Sequence, residues 1–178
     1  MGGSIAHADP AAELPAVLLA HGGSVLVQGP RGTRQIAAID LFRAYLTTAL
    51  EPDEILTEVR FPRYPTGTGW CFMEESRRHG DFAMVGVAVL LTLDTARQCT
   101  HVAVVLCGVG GVPHTVAAAP ALLLGHAMDD ARLHDVAQTA ASEIEPESDL
   151  HASTEFRRHL SAVLTQRALR KAAERATP

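Results

Sequence analysis

The run AMVGVAVLLTLD, residues 83–94, constrains the fold of this chain more than any other feature. It is almost continuously apolar, rich in valine and leucine, and bounded by turn residues. Such a segment reads as a central strand covered on at least one face. Residues 70–78 before it and 100–109 after it also have strand character. The connections HGDF and TARQC are short enough for antiparallel hairpins. Helical spacing takes over afterwards, at 116–124, 128–144 and 154–173. In the second stretch Leu133, Val136, Ala137, Ala140 and Ile144 fall on one side; in the third Phe156, Leu160, Val163, Leu164 and Leu169 do, with arginines elsewhere. A helix layer on an antiparallel sheet is an α+β unit.

Residues 63–69 (RYPTGTG) have turn composition and no apolar period, which places a boundary ahead of that unit. In the preceding segment Leu14, Val17 and Leu18 predict a helix over 10–20, with Asp9 as its cap, Pro10 at its first position and His21-Gly22-Gly23 as its stop. SVLVQ (24–28), a GPRG turn and TRQIAA (33–38) predict a hairpin. Leu41, Phe42, Tyr45 and Leu46 have helical spacing within 39–49, although Thr47 and Thr48 weaken the last turn. Residues 54–62 alternate Ile55, Thr57, Val59 and Phe61 against Glu54, Leu56, Glu58 and Arg60, a half-buried strand closed by proline.

Composition removes several functions. At 178 residues the chain suits one domain or slightly more. It has no apolar run of about 18 residues, as a membrane span would need. Its start has no basic segment followed by an apolar one, so the expected location is cytoplasmic. A net charge of -5 and 4 % aromatic residues argue against a nucleic-acid partner. Cys71, Cys99 and Cys107 are too few and irregular for a disulfide framework or an iron-sulfur site, and read as small buried hydrophobes. The nine histidines, His79 among them, lack zinc-ligand spacing.

Several segments invite chemistry. In GGSIAHADPAAE, two glycines and Ser4 can bring backbone N–H groups to a phosphate or pyrophosphate, since no Cβ blocks the approach; an ordinary tight turn is the competing reading. In ESRRHGDFA (75–83), Phe82 at a hairpin tip can cover a planar ligand beside Asp81, or can be the first core residue of the next strand. CGVGGVPH (107–114) is glycine-rich between strand and helix, but lacks the GxGxxG order and the Walker lysine, and reads as a structural connection. EPDE (51–54) and EIEPESD (143–149) read as turns and caps, without catalytic work.

Five segments, GGSIAHADPAAELPAVLLA, TALEPDEILTEVRFP, FMEESRRHGDFAMVGVAVLL, CGVGGVPHTVAAA and SDLHASTEFRRHLSAVLTQRAL, occur in this order over nearly the whole chain. Together they closely resemble the FAD-binding, or medium, subunit of molybdenum hydroxylases of the carbon monoxide dehydrogenase and xanthine dehydrogenase family. The resemblance implies an α+β architecture in two parts. Residues 1–62 correspond to a partial PCMH-type FAD-binding subdomain, 63–69 to a linker, and 70–175 to a flavoprotein C-terminal domain, a three-stranded antiparallel sheet packed with three helices. The family's first glycine motif, of the AGGHS type, has no match, consistent with a truncated gene product, a split subunit or a misplaced start codon.

The cofactor implied is FAD. Gly2, Gly3, Ser4, Ile5 and His7 correspond to positions along its pyrophosphate and ribityl region, Glu13 to an acidic contact with its polar chain, and Leu56 to an apolar neighbour. Phe82 corresponds to the residue beside the isoalloxazine, with Asp81 in the same loop; Met73 replaces a lysine of xanthine dehydrogenases. The partners implied are a large molybdopterin subunit and a small iron-sulfur subunit, and the activity is electron transfer through FAD to an acceptor. No residue of this chain is implied as a catalytic acid, base or metal ligand. A flavin-free docking or structural remnant is the alternative.

Overall fold

A computed structural model of the chain describes residues 1–78 and 80–177; His79, in the HGDF connection, and Pro178 lie outside the described residues. Helix α1, Gly2–His7, opens the chain and α2, Glu13–Ala20, follows. The GGS segment is therefore the first turn of a helix and not an isolated turn. Completely buried Ile5 anchors it, and Ala8, at φ 54°, ends it in the left-handed region. Asp9 does not cap α2. Its carboxylate accepts the Ala11 N–H at 2.8 Å within its own turn, and α2 begins behind Ala12 without a side-chain cap.

Strands β1 (Ser24–Gly29) and β2 (Gly32–Ala37) form the expected hairpin. The stretch expected to be a helix over 39–49 is one turn, α3 (Ala38–Leu41), followed by β3 (Phe42–Ala44) and β4 (Thr47–Thr48). Thr48 pairs with Phe42 and Thr47 with Ala44, a use of β-branched residues that the helical spacing of the apolar ones conceals. Strand β5 (Ile55–Arg60) joins the free edge of β1, giving the antiparallel order β2-β1-β5. A bulge shifts its register: Leu26 pairs with Glu58 but Val27 with Leu56. The extra residue, Thr57, breaks the expected alternation, so Leu56 and Val59 both pack on the core of Ile5, Leu18, Val25, Val27 and Leu41 while Ile55 remains exposed.

The second unit holds β6 (Gly69–Glu75), β7 (Val85–Leu93), β8 (Cys99–Cys107) and β9 (His114–Thr115) in that spatial order, antiparallel throughout. The two-residue β9 adds a fourth strand to the expected three and delays the next helix, α4, to Ala119–Leu123. Helices α5 (Asp130–Ser142) and α6 (Thr154–Arg175) are capped by Asp129, which accepts the Arg132 N–H, and Ser153, which accepts the Phe156 N–H. Every residue of β7 except Thr92 is buried. Val87, Val89 and Leu91 point to the helices; Ala88 and Leu90 point to the other face, where Ala16 and Ala20 of α2 cover them with Val105 and Cys107.

Leu164 and Leu169 of the expected α6 face are buried and Leu160 packs against the core, but the buried face is turned away from Phe156. It runs through Arg157, Ser161, Leu164, Thr165, Ala168, Leu169, Ala172 and Ala173, and Phe156 is partly exposed. Close approach explains this choice. A Cβ on Gly69 would lie 2.0 Å from the Ala172 carbonyl oxygen, so the helix backbone abuts β6 and only small residues fit at the crossing. The three cysteines are buried and unpaired. Burial, reinforced by the charges of Glu74 and Glu13, pushes the Cys107 thiol up to about 12. Among the described residues no helix is long and apolar enough to cross a membrane.

Candidate functional site

Helix α1 gives the first element of the site. Met1, at its N-cap, makes no side-chain capping bond, and the Ile5 N–H is the donor that reaches back to the Met1 carbonyl at 3.2 Å. The N–H groups of Gly2, Gly3 and Ser4 precede it, in the first turn, where a helix has no carbonyl one turn back to receive them. A Cβ on Gly2 would rest 3.4 Å from Leu56 Cδ2, so this glycine lies against β5. One on Gly3 would meet nothing within 4 Å. Gly3 and His7, four residues apart and both exposed, share the outer side, with Ser4 partly exposed beside them. Ile5 turns its side chain wholly into the core with Leu56, leaving only its backbone for a ligand.

The loop between β6 and β7 gives the second element. Its base is closed by the Met84 N–H donating to the Glu75 carbonyl at 2.8 Å, and within it the Asp81 N–H donates to Arg78 at 3.0 Å. Phe82 is 75 % exposed, so it presents a ring to solvent and does not begin the core of β7. Asp81 is exposed beside it. Glu13, exposed at the start of α2, contributes its charge on the α2 side of the sheet. Met73 packs against the helix-side core.

The turn after α1 is tied to the end of β8, next to the Met84 root of the Phe82 loop. The Gly108 N–H donates to the Pro10 carbonyl, in the α1–α2 turn, at 2.7 Å. Gly108 has φ 75°, and a Cβ there would come within 2.6 Å of the Met84 carbonyl oxygen. The glycine at the start of the CGVGG segment thus fits a narrow gap between the α1–α2 turn and the root of the Phe82 loop, as a structural connection. The acidic pieces are structural as well. Glu54 pairs with Arg34 at 2.7 Å, and Glu143 accepts the N–H groups of Ala117 and Ala118. Among the described residues no group of three or more His, Cys, Asp or Glu side chains could hold a metal ion. A groove of about 420 Å³ beside α2, walled by His21, Tyr64, Trp70 and Phe72, includes none of these site residues.

Sequence reasoning missed Arg157 and Asp149, which form an ion pair at 2.7 Å behind the Phe82 loop. One signal was available. Arg157 lies four residues before Ser161 and seven before Leu164, in phase with the buried side of α6.

Residues 70–172 match the CO dehydrogenase flavoprotein C-terminal domain, and residues 1–64 match the FAD binding domain in molybdopterin dehydrogenase. The chain belongs to the family of FAD-binding medium subunits of molybdenum hydroxylases. It is 35 % identical over its full length to the 6-hydroxypseudooxynicotine dehydrogenase complex subunit alpha of Paenarthrobacter nicotinovorans, covering 60 % of that protein. It is 33 % identical over 99 % of its length to the carbon monoxide dehydrogenase medium chain of Afipia carboxidovorans, covering 61 % of it. Its fold superposes with a TM-score of 0.95 on carbon monoxide dehydrogenase from Hydrogenophaga pseudoflava, in a form lacking the Mo-pyranopterin moiety, at 31 % identity over 99 % of this chain and 61 % of that one. The chain therefore spans about 60 % of the length of the curated relatives it matches.

FAD is the cofactor of this family, and the residues present fit such a molecule. First-turn N–H groups beside an unobstructed Gly3 suit a pyrophosphate, because a helix start favours negative charge and glycine admits close approach. An exposed phenylalanine suits a planar ring system.

Proposed function

We propose that this chain is the FAD-binding electron-transfer part of a molybdenum hydroxylase, working with a large molybdopterin subunit and a small iron-sulfur subunit. The observation that carries the reading is the α1–α2 turn bonded through Pro10 to Gly108, which packs against the Met84 root of the exposed Phe82 loop. Gly2, Gly3 and Ser4 donate backbone N–H groups to the pyrophosphate, while Ile5 holds that turn in place from beneath. His7 lies along the ribityl chain, Glu13 meets the cofactor's polar chain, and Leu56 supplies an apolar wall. Phe82 packs beside the isoalloxazine, and Asp81 conditions access to it. Bound FAD supplies the redox chemistry, accepting electrons from iron-sulfur clusters and passing them to an acceptor; the protein groups position and tune it. The same reading divides the chain into a flavin subdomain at 1–62, a linker at 63–69 and a C-terminal domain at 70–175, supported by the separate cores of the two sheets.

Exposed Ile39, Tyr45 and Ile55 on the smaller unit favour a second reading, a flavin-free docking module. FAD titration separates the two. Uptake of FAD with flavin absorbance near about 450 nm retained after gel filtration supports the first, since the cofactor reading requires that chromophore. Purified protein that stays colourless after incubation with FAD leaves only the second.

A further inference from the structure

Arg157 is a buried charged residue, at 7 % exposure. A guanidinium removed from water is costly unless its donors are matched. Here the two terminal nitrogens are matched and reach separate parts of the chain, while Nε has no hydrogen-bond partner among the described residues. Nη1 donates to the Met84 carbonyl and, at 2.8 Å, to the Gly108 carbonyl, while Nη2 donates to Asp149 Oδ2 at 2.7 Å. Met84 is the root of the Phe82 loop on its β7 side. Gly108 is the residue whose N–H holds Pro10, so the arginine grips both the loop root and the residue to which the α1–α2 turn is tied.

The acid completes the arrangement. Asp149 Oδ1 accepts the N–H groups of His151 and Ala152 at 2.8 and 2.9 Å, which shapes a tight turn. Two carbonyls of that turn, Leu150 and His151, receive Arg77 Nη2 at 2.7 and 3.2 Å, and Arg77 stands at the β6 root of the same loop. Both roots of the loop are thus fastened to one turn. Hydrophobic packing could fill the volume of Arg157 at little cost in stability, but it has no directed bonds with which to fix the register of three backbone segments.

We propose that Arg157, held by Asp149, is a positioning residue that sets the Asp81–Phe82 loop against the Gly2–Ser4 end of α1 across the FAD site. The inference rests on the FAD reading above. Neither residue touches the cofactor; they act through Met84, Gly108 and the 149–152 turn.

The test uses the full chain loaded with FAD, as wild type, Arg157→Lys, Arg157→Met and Asp149→Asn. FAD affinity, the visible circular dichroism of bound flavin, its midpoint potential and thermal melting are measured together. Arg157→Met is expected to weaken FAD binding about 10-fold, the scale of a lost charge-assisted hydrogen bond, and to change the flavin dichroism. Arg157→Lys should recover part of both, and Asp149→Asn should shift them in the same direction by less. Variants that melt earlier yet keep wild-type affinity, dichroism and potential assign the arginine to stability alone and overturn the proposal. If the Arg157 variants do not fold, Asp149→Asn decides it by the same readouts. Wild-type protein that takes up no FAD defeats the cofactor reading first and this inference with it, whereas loaded protein with unaffected variants defeats only the inference.

Discussion

Strands β7 and β5 show how differently the two units are built. All of β7 except Thr92 is buried between α2 on one face and α5 and α6 on the other, whereas no residue of β5 is fully buried and Ile55 is 71 % exposed. The larger unit closes its own core. The smaller one covers a single face of a three-stranded sheet with α1 and α2, and leaves Ile39 and Tyr45 exposed. Helix α2 serves both, giving Leu18 to the small core and Ala16 and Ala20 to the large sheet. The proposed ligand groups sit on the less buried side and at a loop of the more buried one. Binding elements are commonly drawn from such low-stability parts, because they must open and reclose.

The largest expected effect falls where the large unit is tightest. Gly69→Val places a Cβ about where the Ala172 carbonyl sits, so α6 must lift from β6. We expect a loss of about 3 kcal/mol or more, the upper end for overpacking, because backbone and not side chain must move. Trp70 is the only tryptophan and adjoins the site, so its fluorescence in a urea titration reports the change. Leu91→Ala, in the same core, should cost about 3–5 kcal/mol, while Leu41→Ala in the small core should cost about 2–3, since a one-turn helix relaxes more readily around the cavity. Equal penalties in matched denaturation curves would break the contrast between the units.

That contrast also governs what was legible in the sequence. The β7 run announces itself because both its faces are covered and no period is needed to read it. In β5 the faces are set by the Thr57 bulge, which depends on pairing with β1 and leaves no mark on the alternation. The 39–49 stretch has spacings that satisfy a helix, yet Thr47 and Thr48 find strand partners. Along α6 the leucine pattern gives Leu164 and Leu169 correctly, while contact with Gly69 turns the face toward small residues such as Ala168 and Ala172 and away from Phe156. At the candidate site the glycines and Phe82 are visible as unusual residues in suggestive places. The joint behind them is not, because Met84, Gly108, Pro10, Leu150 and His151 contribute backbone carbonyl or amide groups that any residue carries.

Smaller effects separate binding from folding. Gly3→Val has room in the fold, with nothing within 4 Å of its Cβ, and should leave unfolding nearly unchanged while weakening FAD about 10-fold by blocking approach to the first-turn amides. Fluorescence titration against free FAD measures this; undiminished affinity would remove α1 from the pyrophosphate site. Phe82→Ala, at an exposed position, should change stability by no more than about 0.5 kcal/mol. In the assembled complex it should nevertheless alter flavin reduction or acceptor kinetics, and identical stopped-flow traces would take the ring away from the isoalloxazine.

The smallest effect concerns acid. Burial alone would raise the Asp149 carboxyl, but the N–H groups of Ala152 and His151 and the Arg157 guanidinium outweigh it and hold the group at about 2. Its folded value is below the unfolded value of about 3.9, so its stabilising contribution is complete above roughly pH 4 and disappears as pH falls through 2. Nearly half of the side chain is exposed, which keeps the contribution small. Glu54, in the smaller unit, is held at about 2 chiefly by its hydrogen bond with Arg34 and titrates in the same window. The wild-type slope therefore mixes the two units, and the difference between wild type and Asp149→Asn isolates the larger one. Urea midpoints measured at steps from pH 5 to about pH 2 should converge as the acid protonates. A constant gap between the two proteins would show that Asp149 acts there through shape and not charge.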